Sequence, residues 1–255
     1  MNEQAQSAVI ELYCKKLKLP AVRQIYKELA KDAAEGNKSY TAFLAACLAF
    51  EVEARNTNQK QRRLKAARFP WVKSFGDFDF TVIPNLSKQK ILSLAGGSFI
   101  RERENVICIG KPGTGKTHTA VALGLSAIEA GYRVRFIKTV ELVQELLLAE
   151  KEYRLPRYLK SWHKIDLVIL DELGYIGLGP GGPLLFQFCA ERYERGSIVI
   201  TSNLEFSRWG EVFGDITLTT ALLDRLTHRS HVFVFEGESY RFRESQKRKK
   251  DEDKD

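Results

Sequence analysis

Residues Gly110-Lys111-Pro112-Gly113-Thr114-Gly115-Lys116-Thr117 fill every position of the pattern G-x-x-x-x-G-K-[ST], in which glycine-freed backbone amides surround phosphate oxygens. The apolar run Val106-Ile107-Cys108-Ile109 predicts a strand leading into this loop, and His118 to Ala130 predicts a helix leaving it. Loop amides and a helix N-terminus then face the same anion, so this spacing predicts binding of a nucleoside triphosphate, with His118 closing the set of contacting residues. Lys116 supplies a compact charge to the β- and γ-phosphates, a task for which the planar fork of arginine has the wrong shape.

A second strand, Ile165-Asp166-Leu167-Val168-Ile169-Leu170, delivers Asp171 and Glu172 at its C-terminal end, where open α/β sheets place their ligands. Two carboxylates beside a triphosphate predict a division of labour. Thr117 ligates Mg²⁺ directly, Asp171 holds it through water, and Glu172 polarises the attacking water. The run Ile198-Val199-Ile200-Thr201-Ser202-Asn203 ends in an amide that either senses the γ-phosphate or merely forms a turn. Val134 to Lys151 separates the loop from the acidic strand, so those two strands are not consecutive in the chain. With Glu172 and Asn203 this is the arrangement of hydrolytic P-loop ATPases, and kinases and small GTPases lack the set. Arg225, in Ala221-Leu222-Leu223-Asp224-Arg225-Leu226, either reaches a neighbouring subunit's nucleotide or pairs with an acid of its own subunit, with Arg229 as the alternative finger.

The elements that must position these groups read as an α/β fold. Five apolar runs, Asn105 to Ile109, Val134 to Lys138, Leu167 to Leu170, Ile198 to Thr201 and Val232 to Phe235, alternate with helical stretches, which predicts a five-stranded parallel sheet covered on both faces. Residues 1–70 read as a small helical N-terminal domain for DNA or a partner, and 71–255 as the ATPase domain. Within the former, Val9, Leu12 and Leu17, then Val22, Ile25 and Leu29, then Phe43, Leu44, Cys47 and Leu48 form apolar stripes read mainly as that domain's own core, with Ser39 as a cap. The connector aromatics Trp71, Phe75, Phe78 and Phe80 either stack on a base or pack the domains together. The Gly177 to Pro183 loop is a candidate mobile element touching DNA or a partner.

Net charge is +8 and the pI near 9.2, and the location of the excess matters more than its size. Lys60, Arg62, Arg63, Lys65, Arg68 and Lys73 fall in a stretch without an acidic residue, either a solvated helix face or a sequence-indifferent contact to a phosphate backbone. Lys247 to Lys250 is followed by Asp251-Glu252-Asp253 and reads as a self-neutralised tail. Cys14, Cys47, Cys108 and Cys189 are scattered without a C-x-x-C pair, and His228 with His231 has no third partner, so zinc and disulfide frameworks are excluded. No apolar stretch approaches the roughly 20 residues that span a bilayer, and the polar start is unlike a signal peptide, so the expected location is the cytoplasm without a membrane partner.

The phosphate loop, Leu170-Asp171-Glu172-Leu173-Gly174-Tyr175, Thr201-Ser202-Asn203 and Asp224-Arg225-Leu226 together resemble the IstB-type transposition helper ATPases, sisters of the DnaC-type helicase loaders. Arg63-Leu64-Lys65-Ala66-Ala67-Arg68-Phe69-Pro70, Phe78-Asp79-Phe80 and Gly237-Glu238-Ser239-Tyr240-Arg241 extend the resemblance over most of the chain. It implies an AAA+ fold, ATP and Mg²⁺ as ligands, and homo-oligomers with ATP at subunit interfaces. It also implies assembly on double-stranded DNA and delivery of that DNA to a partner transposase; the alternative is a DnaC-like loader of a replicative helicase. Arg241 stands where this branch carries a second sensor, yet only about fifteen residues follow Tyr240, too few for the usual C-terminal helical lid.

Overall fold

A computed structural model describes residues 2–83, 85–175, 177–237 and 239–240; Arg241, the tail at Lys247 to Asp253 and the expected absence of a C-terminal lid lie outside the described residues. Two compact units divide the chain, Met1–Arg62 and Arg63–Asp255.

The first unit is built from α1 (Glu3–Lys16), α2 (Pro20–Glu35) and most of α3 (Tyr40–Ala67). Asn2 caps α1, and the Ser39 hydroxyl accepts the Ala42 amide at 3.2 Å to start α3. The start of α2 has proline at its first turn and no local side-chain cap. A distant carboxylate takes that role: Glu51 Oε2 accepts the amides of Ala21 at 2.8 Å and Val22 at 3.1 Å, while Arg55 Nε donates to Glu51 Oε1 at 2.8 Å. The core here is small, Cys14, Val22, Tyr26 and Cys47 with Leu19, Leu29 and Phe43 against them. Val9, Leu12, Leu17, Leu44 and Leu48, expected inside it, are exposed. Periodicity marks an apolar face but not what covers it, and three helices in this arrangement cover only part of theirs.

The second unit continues through two 3-10 turns, Phe75–Asp77 and Phe80–Val82, and the short helices α4 (Lys88–Leu94) and α5 (Ser98–Arg101). Strands and helices then alternate: β1 (Asn105–Gly110), α6 (Lys116–Glu129), β2 (Val134–Lys138), α7 (Thr139–Lys151), α8 (Leu155–Ser161), β3 (Leu167–Leu173), α9 (Gly182–Arg192), β4 (Ser197–Ser202), α10 (Trp209–Phe213), α11 (Ile216–Thr227) and β5 (Ser230–Phe235). All five expected strands form, every pairing is parallel, and the order is β2-β3-β4-β1-β5. The acidic strand β3 therefore lies two places from β1, with β4 between them.

Both sheet faces are buried, which is why the strands lack polar alternation. Ile107, Val168, Leu170, Ile198 and Ile200 face one cluster with α7, α9, α10 and α11, and Val106, Cys108, Leu167, Ile169 and Val199 face the other with α6. The four cysteines are all buried and free, as their spacing predicted. Among the described residues no helix is long and apolar enough to cross a membrane. The glycine-rich loop before α9 is anchored at two of its residues. Leu178 is buried and its amide donates to the Val212 carbonyl at 2.9 Å, and a Cβ at Gly181 would stand 2.2 Å from Val143 Cγ1.

Glu51 holds the helical unit together and generates a stability prediction. Burial alone would raise its carboxyl, but the Arg55 hydrogen bond and the amides of Val22 and Ala21 outweigh that and hold it below its ordinary value. The contribution is present above the unfolded glutamate value of about 4.3 and is lost as pH falls through the lower folded value. Glu51→Ala strands two buried amides and is expected to cost about 2 kcal/mol near neutral pH. In urea titrations it should also remove part of the acid sensitivity of the wild type.

Candidate nucleotide-binding site

The phosphate loop turns between β1 and α6 through three glycines with positive φ, Gly110 at 149°, Gly113 at 80° and Gly115 at 94°. At Gly115 a side chain is doubly excluded, by that φ and by Phe78, whose Cε2 would lie 2.5 Å from a Cβ. Lys116, 7% exposed, donates from Nζ to the carbonyl oxygens of Gly110 and Lys111, both at 2.7 Å. Its charge is thereby placed under the loop, and Thr114 Oγ1 ties the turn by donating to the Lys111 carbonyl at 2.8 Å.

Asp171 is the hub of the site. Its Oδ1 accepts the hydroxyls of Thr117 at 2.9 Å and Thr201 at 2.6 Å, and its backbone carbonyl accepts the Thr139 hydroxyl at 2.9 Å. Burial pushes the Asp171 carboxyl above its ordinary value, and the hydroxyls of Thr201 and Thr117 pull it back. The next residue, Glu172, has φ 62°, in the left-handed region, where the β3–β4 register shifts between Leu170 and Leu173. Thr201 holds this bulge from the neighbouring strand: its Oγ1 accepts the Glu172 amide at 3.0 Å while donating to Asp171. The Glu172 carboxylate is ion-paired with Lys138 Nζ at 2.9 Å, both side chains more than a third exposed. Such a pair contributes under about 1 kcal/mol and exchanges partners readily.

Asn203, at the end of β4, has a buried Oδ1 with no hydrogen-bond partner. A buried carbonyl oxygen left unpaired among the described residues is costly. Around these groups lies a cavity of about 320 Å³ whose walls include Trp71, Phe78, Val82, Thr117, His118, Glu172, Asn203 and Tyr240. Of the connector aromatics, Trp71 and Phe78 line the cavity and pack on α6, while Phe75 and Phe80 pack against the core: the His118 ring meets Trp71 at 5.7 Å and Phe78 at 5.1 Å, and its Nε2–H donates to the Ser74 carbonyl at 2.8 Å. Burial pushes His118 below its ordinary value and keeps it neutral at pH 7. From the far side, the Tyr240 amide donates to the Gly113 carbonyl at 2.9 Å.

Gly110 to His118, Asp171, Glu172 and Asn203 therefore converge at the C-terminal edge of the sheet. Arg225 is absent from the cavity wall. It is exposed on α11 with its guanidinium 5.0 Å over the Phe186 ring. Arg229 lines a separate small cavity with Arg103 and Arg225. Of the basic stretch, Lys60, Arg62, Arg63 and Lys65 lie on α3, and Arg68 follows in a left-handed conformation with φ 56°. Lys73 lies 5.7 Å over the Trp71 ring at the nucleotide cavity.

Sequence reasoning missed Lys138 and the bridging role of Thr201. The register of β2 against β3, which sets Lys138 opposite Asp171, is the only signal for the first. Apolar strands with polar C-terminal ends are the signal for the second. The oxygen donors Thr117 and Asp171 suit a hard divalent cation completed by water and phosphate.

Sheet order, loop and acidic strand define a P-loop protein with the AAA+ fold. The similarity to solved structures agrees: the AMPPCP-bound DnaA of Aquifex aeolicus superposes with a TM-score of 0.54 at 18% identity, over 70% of this chain and 54% of that one. The chain thus spans about half of that solved protein. Residues 13–248 match the IstB-like ATP binding protein family, and the chain belongs to it. A protein of Pseudomonas aeruginosa, named as a candidate ATP-binding protein of insertion sequence IS21, is 41% identical over 93% of this chain and 90% of its own length. A counterpart from insertion sequence IS5376 of Geobacillus stearothermophilus is 40% identical over 92% of this chain and 94% of its own.

The Thr201 bridge generates a test of the site. Protonated Asp171 cannot support a cation, so Mg²⁺-dependent nucleotide affinity should weaken as pH falls through the raised Asp171 value. Thr201→Val deletes a hydrogen bond that lowers that value, so the weakening should begin at higher pH, whereas Thr201→Ser should follow the wild type. Nucleotide titrations across pH check this, and identical profiles for the valine and serine variants would contradict it.

Proposed function

We propose that this protein is an ATPase that assembles on double-stranded DNA and helps a partner transposase engage it. The observation that carries the hydrolytic part is the convergence of Lys116, Thr117, Glu172 and Asn203 on one cavity, with Asp171 buried beside it and bonded to Thr117. Loop amides and Lys116 hold the β- and γ-phosphates. Thr117 and Asp171 hold Mg²⁺, which supplies neutralisation of phosphate charge. Glu172 accepts a proton from water as the water oxygen attacks the γ-phosphorus, and the bond to the β–γ bridging oxygen breaks to release ADP and phosphate. Asn203 Oδ1 accepts the remaining hydrogen of that water and orients it.

The ion pair with Lys138 sets the resting position of Glu172, and its weakness allows the carboxylate to leave it. Arg225, exposed and remote from its own cavity, reaches the nucleotide of a neighbouring copy, which makes hydrolysis depend on oligomerisation. The family and the insertion-sequence relatives support a transposition helper over a helicase loader, and the basic stretch from Lys60 to Arg68 supports contact with a phosphate backbone.

Glu172→Gln is expected to bind ATP with little change while turnover falls at least about a hundredfold. Unchanged steady-state phosphate release would remove Glu172 from the reaction. Filter binding to duplex DNA over a salt series tests the other half. With six cations in play, the logarithm of the affinity should fall against the logarithm of salt with a slope as steep as about −5, and a flat response would defeat backbone contact.

A further inference from the structure

The last turn of α3 and the edge strand β2 lie side by side within the larger unit. Arg63 Nη1 is 3.6 Å from where a Cβ would stand on Gly131, Arg135 Nη1 donates to the Ala66 carbonyl at 3.2 Å, and the Phe69 and Phe136 rings meet at 6.4 Å. These contacts run in the same direction along both elements. They bring Arg135, some seventy residues further along the chain, close enough to Arg68 to feel its charge, with Arg63 against Gly131 and Arg133 two residues ahead of Arg135.

We infer that Arg133, just ahead of β2, and Arg135, within it, complete, with Arg63 and Arg68, a guanidinium strip that docks the phosphate backbone of duplex DNA. The inference rests on the DNA-binding part of the proposed function. Among the described residues, none of the four is ion-paired with a carboxylate. Two of the nearby carboxylates are engaged: Asp166 accepts the Arg133 amide at 2.7 Å, and Glu145 accepts the Tyr158 hydroxyl at 2.5 Å. Arg133 Nη1 reaches only the Lys164 carbonyl, at 3.3 Å. Arg135 is partly buried, and burial together with the charge of Arg68 disfavours its own charge, with Glu145, Tyr158 and Glu141 acting the other way. An anion between the two guanidiniums relieves that repulsion. Arg63 to Arg68 and Arg133 to Arg135 each cover about 7 Å of chain, the axial rise of about two phosphates on one strand. Side chains on a flat sheet edge and a helix end read backbone rather than base edges, so the strip should be indifferent to sequence.

The test is fluorescence anisotropy with two duplexes of unrelated sequence across a salt series, with ATP present. Arg133→Gln and Arg135→Gln should each weaken both duplexes alike, roughly tenfold at low salt, and each should reduce the salt slope by about one. Arg135→Lys, which keeps the charge and loses the guanidinium fork, should restore the slope. A merely structural role for Arg135 through the Ala66 carbonyl would leave the slope untouched in both Arg135 variants and would overturn its assignment. Among the described residues the Arg133 guanidinium is hydrogen-bonded only to the carbonyl of exposed Lys164, so Arg133→Gln decides the matter even if Arg135→Gln unfolds. Variants that bind both duplexes with wild-type affinity and slope refute the strip and leave the wider DNA-binding reading standing, whereas a wild type without DNA affinity refutes both.

Discussion

The carboxylate of Asp171 is where separate segments of the fold are tied together. Its oxygen takes hydroxyls from α6 and β4, and its backbone carbonyl takes one from the start of α7. Each of these donors sits at the C-terminal edge of the sheet, so the hydrogen bonds set the relative height of three strands there. The Glu172 bulge depends on the same threonine that serves Asp171, which couples the cation-binding carboxylate to the proton-accepting one. A buried carboxylate held by two neutral hydroxyls, with a third fixing its backbone, is stable only while all stay in place.

The phosphate loop is confined from both sides in a comparable way. Phe78 leaves no room for a side chain at Gly115, and Tyr240 is bonded to the Gly113 carbonyl on the opposite flank. Residues on either side of the sheet-forming region in sequence thus form the cavity's walls with the loop as its floor. Trp71, His118 and Phe78 give one wall an aromatic lining that suits a flat heterocycle, and neutral His118 adds no charge to it. The positive charge needed for phosphate comes from Lys116 alone at the floor, with Lys73 at the rim.

Much of this was legible from the residue order. Strands buried on both faces must be apolar throughout, so β1 to β5 could be located within a few residues of their ends, and the loop motif with its flanking strand and helix marked the cavity. What remained hidden depends on register or on which surface is covered. Lys138 and Thr201 act on residues about thirty positions away that only strand pairing brings near. The α1 and α3 stripes announced helices correctly, but periodicity is silent on what covers Leu12 or Leu44. Arg133 and Arg135 gave no sign of joining the α3 arginines, because they are separated from them by the entire phosphate-loop unit.

The central claim is that loop amides, the Lys116 ammonium and the Thr117–Asp171 pair grip a triphosphate with its cation. Calorimetric titration of ATP with Mg²⁺ into the folded protein, beside Lys116→Ala, addresses it most directly. The expected result is saturable heat in the wild type and an affinity lower by roughly tenfold to a hundredfold in the variant, the worth of about 1.5–3 kcal/mol for a charged hydrogen bond. Absence of heat in the wild type, or equal affinity in the two proteins, would contradict it.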